Sequence, residues 1–366
     1  MSLVFDLKNK KKDTEKNQFL DESVSIARYD ILKYKQYDLL TEKMLGFMWR
    51  PQEVDVTKDR NDFKKLSDNE KHIFTSNLKR QILLDSVQGR APNLAFLPIA
   101  SLPELETLIS TWAFFETIHS KSYTHIIRNV YANPSEIFDD ILSINEIVDC
   151  ASDISKYYDT LIEYNVKSVY GGPTEYNLYD HKKALWMALH SVYILEGVRF
   201  YVSFACSWAF AELKQMEGNA KIIKFIARDE NTHLAASTHI IKNLLKEDSD
   251  YTKIKDECSG EVSALFNSVI QQEKDWAHYL FKDGSMIGLN AQLLKDYVDF
   301  IAAKRAKVLG VTIDVPLIKT NPLPWTEKWI SGGNVQVAPQ ETEISSYIVG
   351  GIKQDMDNNK LKGLSL

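Results

Sequence analysis

The 366 residues are 44% hydrophobic and 26% charged, with 15 Gly and 10 Pro. That is enough apolar material for a large core, which excludes global disorder, and too little Gly and Pro for a sandwich or barrel of short strands. A net charge of −6 gives no general attraction to nucleic acid, and three well-separated cysteines, Cys150, Cys206 and Cys258, exclude a disulfide scaffold and indicate a reducing compartment.

In chain order, the opening stretch MSLVFDLKNKKKDTEK carries charges where a signal peptide needs its apolar run, so a cytoplasmic chain is expected, with the basic run 8–12 as a solvated terminus. Ser67-Asp-Asn-Glu70 is a capping box that opens a helix running to about Gly89. Further helices are expected from about Pro103 to Asn129, Lys182 to Leu213, Asn219 to Leu245, Glu261 to Phe281 and Ala291 to Val308. The segment 165–177, with its Gly-Gly-Pro, reads as a loop or small hairpin. The longest apolar region, 192–210, is interrupted by Glu196 and Arg199 and is too short to span a bilayer. Pro322, Pro324 and Gly332-Gly333 end the helical pattern. The expected organisation is a flexible segment over 1–25, one all-α domain over 26–331, and a mobile tail over 332–366.

Four of these helices carry acidic or imidazole groups inside apolar sequence. Glu116 and His119, at i and i+3, share a helix face that Tyr123 extends one turn further. Glu230 and His233 repeat the Glu-x-x-His spacing. Asp85 and Glu196 are lone carboxylates in apolar stretches, and a buried unpaired carboxylate costs several kcal/mol unless it is neutral, paired or bound to a metal. A lone carboxylate from each of two helices and Glu-x-x-His from each of two others is the ligand arrangement of ferritin-like di-iron and di-manganese bundles. Carboxylates are hard donors able to bridge two cations, and one imidazole per metal suits iron or manganese. The competing reading is a buried salt-bridge network with Arg199 and Arg228. Asp275-x-x-His278, which follows a polar run, reads as a solvated face.

At these residues the sequence resembles the small, radical-generating subunit of class I ribonucleotide reductase, of the tyrosyl-radical di-iron type. The likeness runs from about Ala27-Arg-Tyr-Asp30 to the C-terminal tail. It is carried by Phe47-Met-Trp49-Arg-Pro, Leu84-Asp85-Ser-Val-Gln-Gly-Arg90, Glu116-Thr-Ile-His119-Ser-Lys-Ser-Tyr123, Glu196-Gly-Val-Arg-Phe200-Tyr-Val-Ser-Phe204, the segment from Glu217 to Glu230, and Asn334-Val-Gln-Val-Ala-Pro-Gln-Glu341. The resemblance implies a ferritin-like helical bundle in which Asp85, Glu116 and His119 hold one iron and Glu196, Glu230 and His233 the other, with Glu116 and Glu230 able to bridge. It implies that Tyr123 becomes a stable radical after reaction with dioxygen, shielded by Phe200, Phe204 and Ile226. Trp49 matches the tryptophan that supplies an electron and lies on the radical path, and Asp229 the carboxylate joining Trp49 to His119. Tyr347 and Glu341 match tail residues that relay the radical to a large subunit holding the nucleotide and the thiols. A homodimer follows from the resemblance; no nucleic-acid or membrane partner is expected from the net charge and the interrupted apolar region. Manganese suits the same donors, and a ferritin-like di-iron oxidase or desaturase is the alternative sharing this bundle. Phe115 departs from the family, which has a small polar residue before the glutamate.

Overall fold

The computed structural model describes residues 8–172 and 174–330, and among these every regular element is a helix. Extended pairing is confined to the isolated bridges Phe19–Ala100 and Met286–Leu289. The architecture is carried by α1 (Lys35–Gly46), α2 (Thr57–Lys65), α3 (Asp68–Gln88), α4 (Pro103–Val130), α5 (Asn145–Tyr170), α6 (Leu178–Ile194), α7 (Tyr201–Glu212), α8 (Glu217–Glu247), α9 (Ser259–Leu280) and α10 (Ala291–Leu309). Shorter helices, such as Ala91–Ala95 and Ser249–Glu257, connect them. No described helix is long and apolar enough to cross a membrane.

Local chemistry sets the helix ends. At α3, Ser67 Oγ accepts from the Glu70 N–H at 3.3 Å while Glu70 Oε2 accepts from the Ser67 N–H at 2.8 Å, as the capping box requires. Pro103 starts α4, where its missing N–H is harmless. Asn290 caps α10 by accepting from the Leu293 N–H at 2.9 Å, and Gly310 ends that helix in the left-handed conformation, φ 69°.

The centre is the rod formed by α6 and α7, in which every residue from Ala184 to Ala211 is buried. A helix apolar on all sides has to be enclosed. Between the two lies a π-turn, Leu195–Arg199. α3 and α8 pack on α7, and α4 packs on both, closing a four-helix bundle. Outside it, α1 lies across α4 and α8, α5 covers α3 and α6, and the antiparallel pair α9–α10 backs the π-turn.

Two expectations are corrected. Within the described part of the segment 1–25 there are also anchors: Phe19 is buried and pairs with Ala100, and Gln18 is buried and donates to the Ile240 carbonyl at 3.0 Å. Its alternating charges hid these anchors. The span 165–177 is a loop only after Tyr170, because α5 runs through its first residues. Buried Asn165 donates to the Ala95 carbonyl at 2.8 Å. α5 itself was not anticipated, although Ile147, Cys150, Ile154, Tyr158 and Leu161 recur at helical spacing on its buried face. The tail expected over 332–366, with Glu341 and Tyr347, lies outside the described residues.

The start of α8 is capped from another helix. Asp59 on α2 accepts from the Gly218 N–H at 3.1 Å and the Asn219 N–H at 2.6 Å, and Asp62 accepts from the Met216 N–H at 3.3 Å, where Met216 turns through φ 52°. Burial raises the Asp59 pKa from 3.8 to about 6 although the two N–H donors pull it down. A carboxyl whose pKa is raised by folding binds its proton more tightly in the folded state, so its contribution to stability falls as pH rises from about 4 to 6. Asp59→Ala is expected to lower unfolding stability by about 1–2 kcal/mol in urea denaturation, as for a lost helix cap. Asp59→Asn is expected to flatten the pH dependence of stability in that same window.

Candidate metal centre

The four bundle helices bring six side chains to one dry point. Asp85 comes from α3, Glu116 and His119 from α4, Glu196 from the π-turn, and Glu230 and His233 from α8; none is exposed. They fall into two groups, Asp85–Glu116–His119–Glu230 and Glu116–Glu196–Glu230–His233, in each of which one ligand atom per residue lies within 4.8 Å of the others. Glu116 and Glu230 belong to both. His119 Nδ1 is 3.1 Å from Glu116 and 3.2 Å from Glu230, while His233 Nδ1 is 3.0 Å from Glu116 and 3.2 Å from Glu230.

The electrostatics fit cations between these groups. Burial alone would raise Glu116, but His233 and His119 pull it down to about 2. Burial opposes a charged His233, yet Glu116 and Glu230 raise it to about 10, and Asp229, Glu116 and Glu230 likewise raise His119 against burial. Asp85 and Glu196 are pushed well up, first by burial; Glu116 adds to the rise at Asp85, and Glu230 to that at Glu196. Oε2 of Glu196 is buried without a hydrogen-bond partner, and the two oxygens of Asp85 have no neighbouring donor but the Tyr123 hydroxyl. Such orphaned acceptors are rare unless an ion satisfies them. Two divalent cations would balance the four carboxylates and take every donor as a hard oxygen or an imidazole nitrogen.

A second ring of side chains holds the first. Trp49 Nε1 donates to Asp229 Oδ2 at 2.8 Å, and the same oxygen is 3.3 Å from His119 Nε2. Asp229 is kept ionised: burial would raise it, but the Arg228 charge and the His119 hydrogen bond lower it. Gln88 Nε2 donates to Glu196 Oε1 at 2.8 Å, and Gln88 Oε1 accepts from the Tyr158 hydroxyl at 2.7 Å. Trp112 Nε1 donates to Glu116 Oε1 at 3.0 Å, and its ring stacks on His233. Partners of this kind orient ligands and typically change metal affinity 10–100-fold when removed. Gln88, Trp112 and Tyr158 were missed in the sequence, though Gln88 lies three residues beyond Asp85 and Trp112 one turn before Glu116.

The remaining expected residues are placed as follows. Tyr123 is fully buried on α4, and its pKa is raised first by burial and then by the charge and hydrogen bonding of Asp85 beside it. Phe200, Phe204 and Ile226 are fully buried, the two phenyl rings stacked at 5.5 Å. Phe115 is buried against Phe114. The salt-bridge alternative does not describe the cluster: Arg228 pairs with Asp229 and donates to the Phe47 carbonyl, and Arg199 reaches Cys150 and Asp153. Asp275 and His278 are exposed on α9.

With this geometry in hand, similarity to known proteins can be stated. The family described as "Ribonucleotide reductase, small chain" matches residues 28–313. The ribonucleoside-diphosphate reductase subunit beta of Haemophilus influenzae is 50% identical, covering 98% of both chains. The ribonucleotide reductase R2 subunit from Clostridium botulinum superposes with a TM-score of 0.77 at 24% identity, over 89% of this chain and 97% of its own. The dimanganese(II) protein of Streptococcus sanguinis superposes with a TM-score of 0.66 at 20% identity, over 84% and 100%.

Titrating the metal-free chain with Mn(II) is expected to saturate at two ions per chain. Each ion raises stability by about 2.7 kcal/mol at a free concentration 100-fold above its Kd. Glu230→Ala, which removes a residue common to both groups, is expected to eliminate tight binding, whereas Asp85→Ala is expected to leave one ion. Equal losses in the two variants would contradict the assignment of Asp85 to one group only.

Proposed function

This chain belongs to the ribonucleotide reductase small-chain family and is a class I small subunit that works with a large subunit; from that premise we propose that it forms a radical at Tyr123 and passes the oxidising equivalent to its partner. In this reading Asp85, Glu116 and His119 hold one metal and Glu196, Glu230 and His233 the other. When bound, the two metals supply the reduction of dioxygen and a strong one-electron oxidant. Iron is proposed because of Tyr123, on the family pattern; the Streptococcus sanguinis protein of the same fold is a dimanganese(II) form, and the donor set suits both metals.

The observation that carries the reading is the setting of Tyr123. The phenol is fully enclosed, with Asp85 the carboxylate beside it. A neutral phenoxyl places no charge in so dry a site. Burial also resists a phenolate, so removal of an electron must be accompanied by removal of the proton, and Asp85 is the carboxylate nearest in effect. Phe200, Phe204 and Ile226 exclude water and reductants. Trp49, Asp229 and His119 form a hydrogen-bonded line from the cluster to a tryptophan flanked by the exposed residues Met48 and Arg50. Asp229, held ionised, fixes the indole and the imidazole through one oxygen. Tyr347 and Glu341 in the tail are proposed to complete the route to the large subunit, and the chain is proposed to act as a cytoplasmic homodimer.

Reconstitution with ferrous iron and dioxygen is expected to give a tyrosyl doublet in electron paramagnetic resonance that disappears in Tyr123→Phe. An unchanged signal in that variant rejects Tyr123. Deleting the residues after Ser331 is expected to leave the doublet intact and abolish reductase activity with the large subunit; full activity of the truncated chain rejects the role of the tail.

A further inference from the structure

A second set of charged side chains is buried in the same bundle, away from the metal ligands. Arg80 on α3, Arg199 at the end of the π-turn and Glu273 on α9 are each 2% exposed or less. Arg80 is ion-paired with Glu273 and lies over the Trp276 ring. Arg199 Nη1 donates to Cys150 Sγ at 2.9 Å and to Gln272 Oε1 at 2.6 Å, and Gln272 Nε2 donates in turn to Asp153 Oδ2 at 2.5 Å. Arg80 Nη2 also reaches Cys150 Sγ, at 3.5 Å. The thiol of α5 thus seats guanidinium groups from α3 and from the π-turn.

The π-turn is also held by α10. A π-turn breaks the regular ladder of helix hydrogen bonds, and such insertions recur at functional sites. Arg305 Nε donates to the Gly197 carbonyl at 3.3 Å, and its Nη2 donates to the Tyr201 hydroxyl at 2.7 Å. Packing is close there, since a Cβ at Gly197 would meet Leu234 Cδ1 at 3.0 Å and Arg305 Cγ at 3.3 Å. Glu196 therefore precedes a glycine carbonyl tied to one arginine and lies three residues before a second arginine locked in a dry pocket.

We propose that Arg199, seated by Cys150, and Arg305 are positioning residues for Glu196. They hold the π-turn so that this carboxylate faces Glu116, Glu230 and His233. The proposal rests on the dimetal reading and concerns one of its two ion positions. Both arginines present planar, preorganised forks that fix two acceptors in set directions, which the rotating donors of a lysine ammonium do not impose. The geometry makes the effect selective, because neither arginine contacts Asp85 or His119.

The test is a Mn(II) titration of the metal-free full-length chain, followed by electron paramagnetic resonance of the unbound ion, with thermal melts alongside. At a free concentration that loads two ions on the wild type, Arg199→Met is expected to retain one, its other affinity falling about 10–100-fold, the range for loss of a residue that orients a ligand. Arg305→Met is expected to act in the same direction and carries the test if Arg199→Met does not fold. Cys150→Ser, which keeps an acceptor, is expected to load two ions, and Cys150→Ala one. Two ions bound in both arginine variants, or both ions weakened equally, overturns the proposal while leaving the dimetal reading in place. A wild type that binds fewer than two ions overturns that reading and this inference with it.

Discussion

The structure is organised by one unfavourable placement: four carboxylates and two imidazoles are removed from water at the centre of a helical bundle. Buried charge is tolerated only with compensating charge and hydrogen bonds of good geometry. Each of the four bundle elements therefore has to deliver its ligands at a fixed height and rotation. Two helices do so with Glu-x-x-His on one face. The central rod does so with a π-turn, which presents Glu196 from a buried segment, Ala184 to Ala211, whose other charged residue is Arg199.

Rigidity around the ligands follows from the same constraint. Glu116, Glu196 and His119 each have an outer partner, in Trp112, Gln88 and Asp229 respectively, and the partners are themselves held. Gln88 accepts from Tyr158 on α5, a helix that contributes no ligand. Asp229 accepts from Trp49 at the end of the α1 segment. The elements outside the four-helix bundle thus serve the site through hydrogen bonds as well as by covering apolar surface. Tyr123 differs in having a group of the cluster itself, Asp85, as the carboxylate beside its hydroxyl, which suits a side chain proposed to lose its proton.

Much of this was legible in the sequence because the relevant signals are local. The capping box at Ser67 and the repeated Glu-x-x-His spacing depend on residues three or four apart, and lone carboxylates in apolar stretches mark themselves. What could not be read depends on distant partners. Nothing near Gln88 announces Glu196, 108 residues away, and nothing near Trp49 announces Asp229, 180 residues away, without the family likeness. The π-turn is invisible because its composition matches an ordinary buried helix. The packed stretch around Gln18 and Phe19 was obscured by neighbouring charges. α5 differs, because its apolar spacing is present in the sequence while the Gly-Gly-Pro just beyond Tyr170 carries the stronger loop signal.

The cap that α2 places on α8 has a consequence for how the site comes into being. Asp59 fixes the first turn of α8, and Trp49 grips the same helix at Asp229, ten residues beyond Asn219. At 1.5 Å per residue these grips are about 15 Å apart along the axis, so together they index the helix lengthwise and set the height at which Glu230 and His233 arrive. Both grips come from the chain before α3, and the Asp59–Asn219 contact spans 160 residues. Contacts of such sequence range form late, after loop closure has been overcome. The α8 half of the ligand set therefore reaches its final height only once the two ends of the fold have met, and a nascent chain still lacking α8 has no complete metal centre to load.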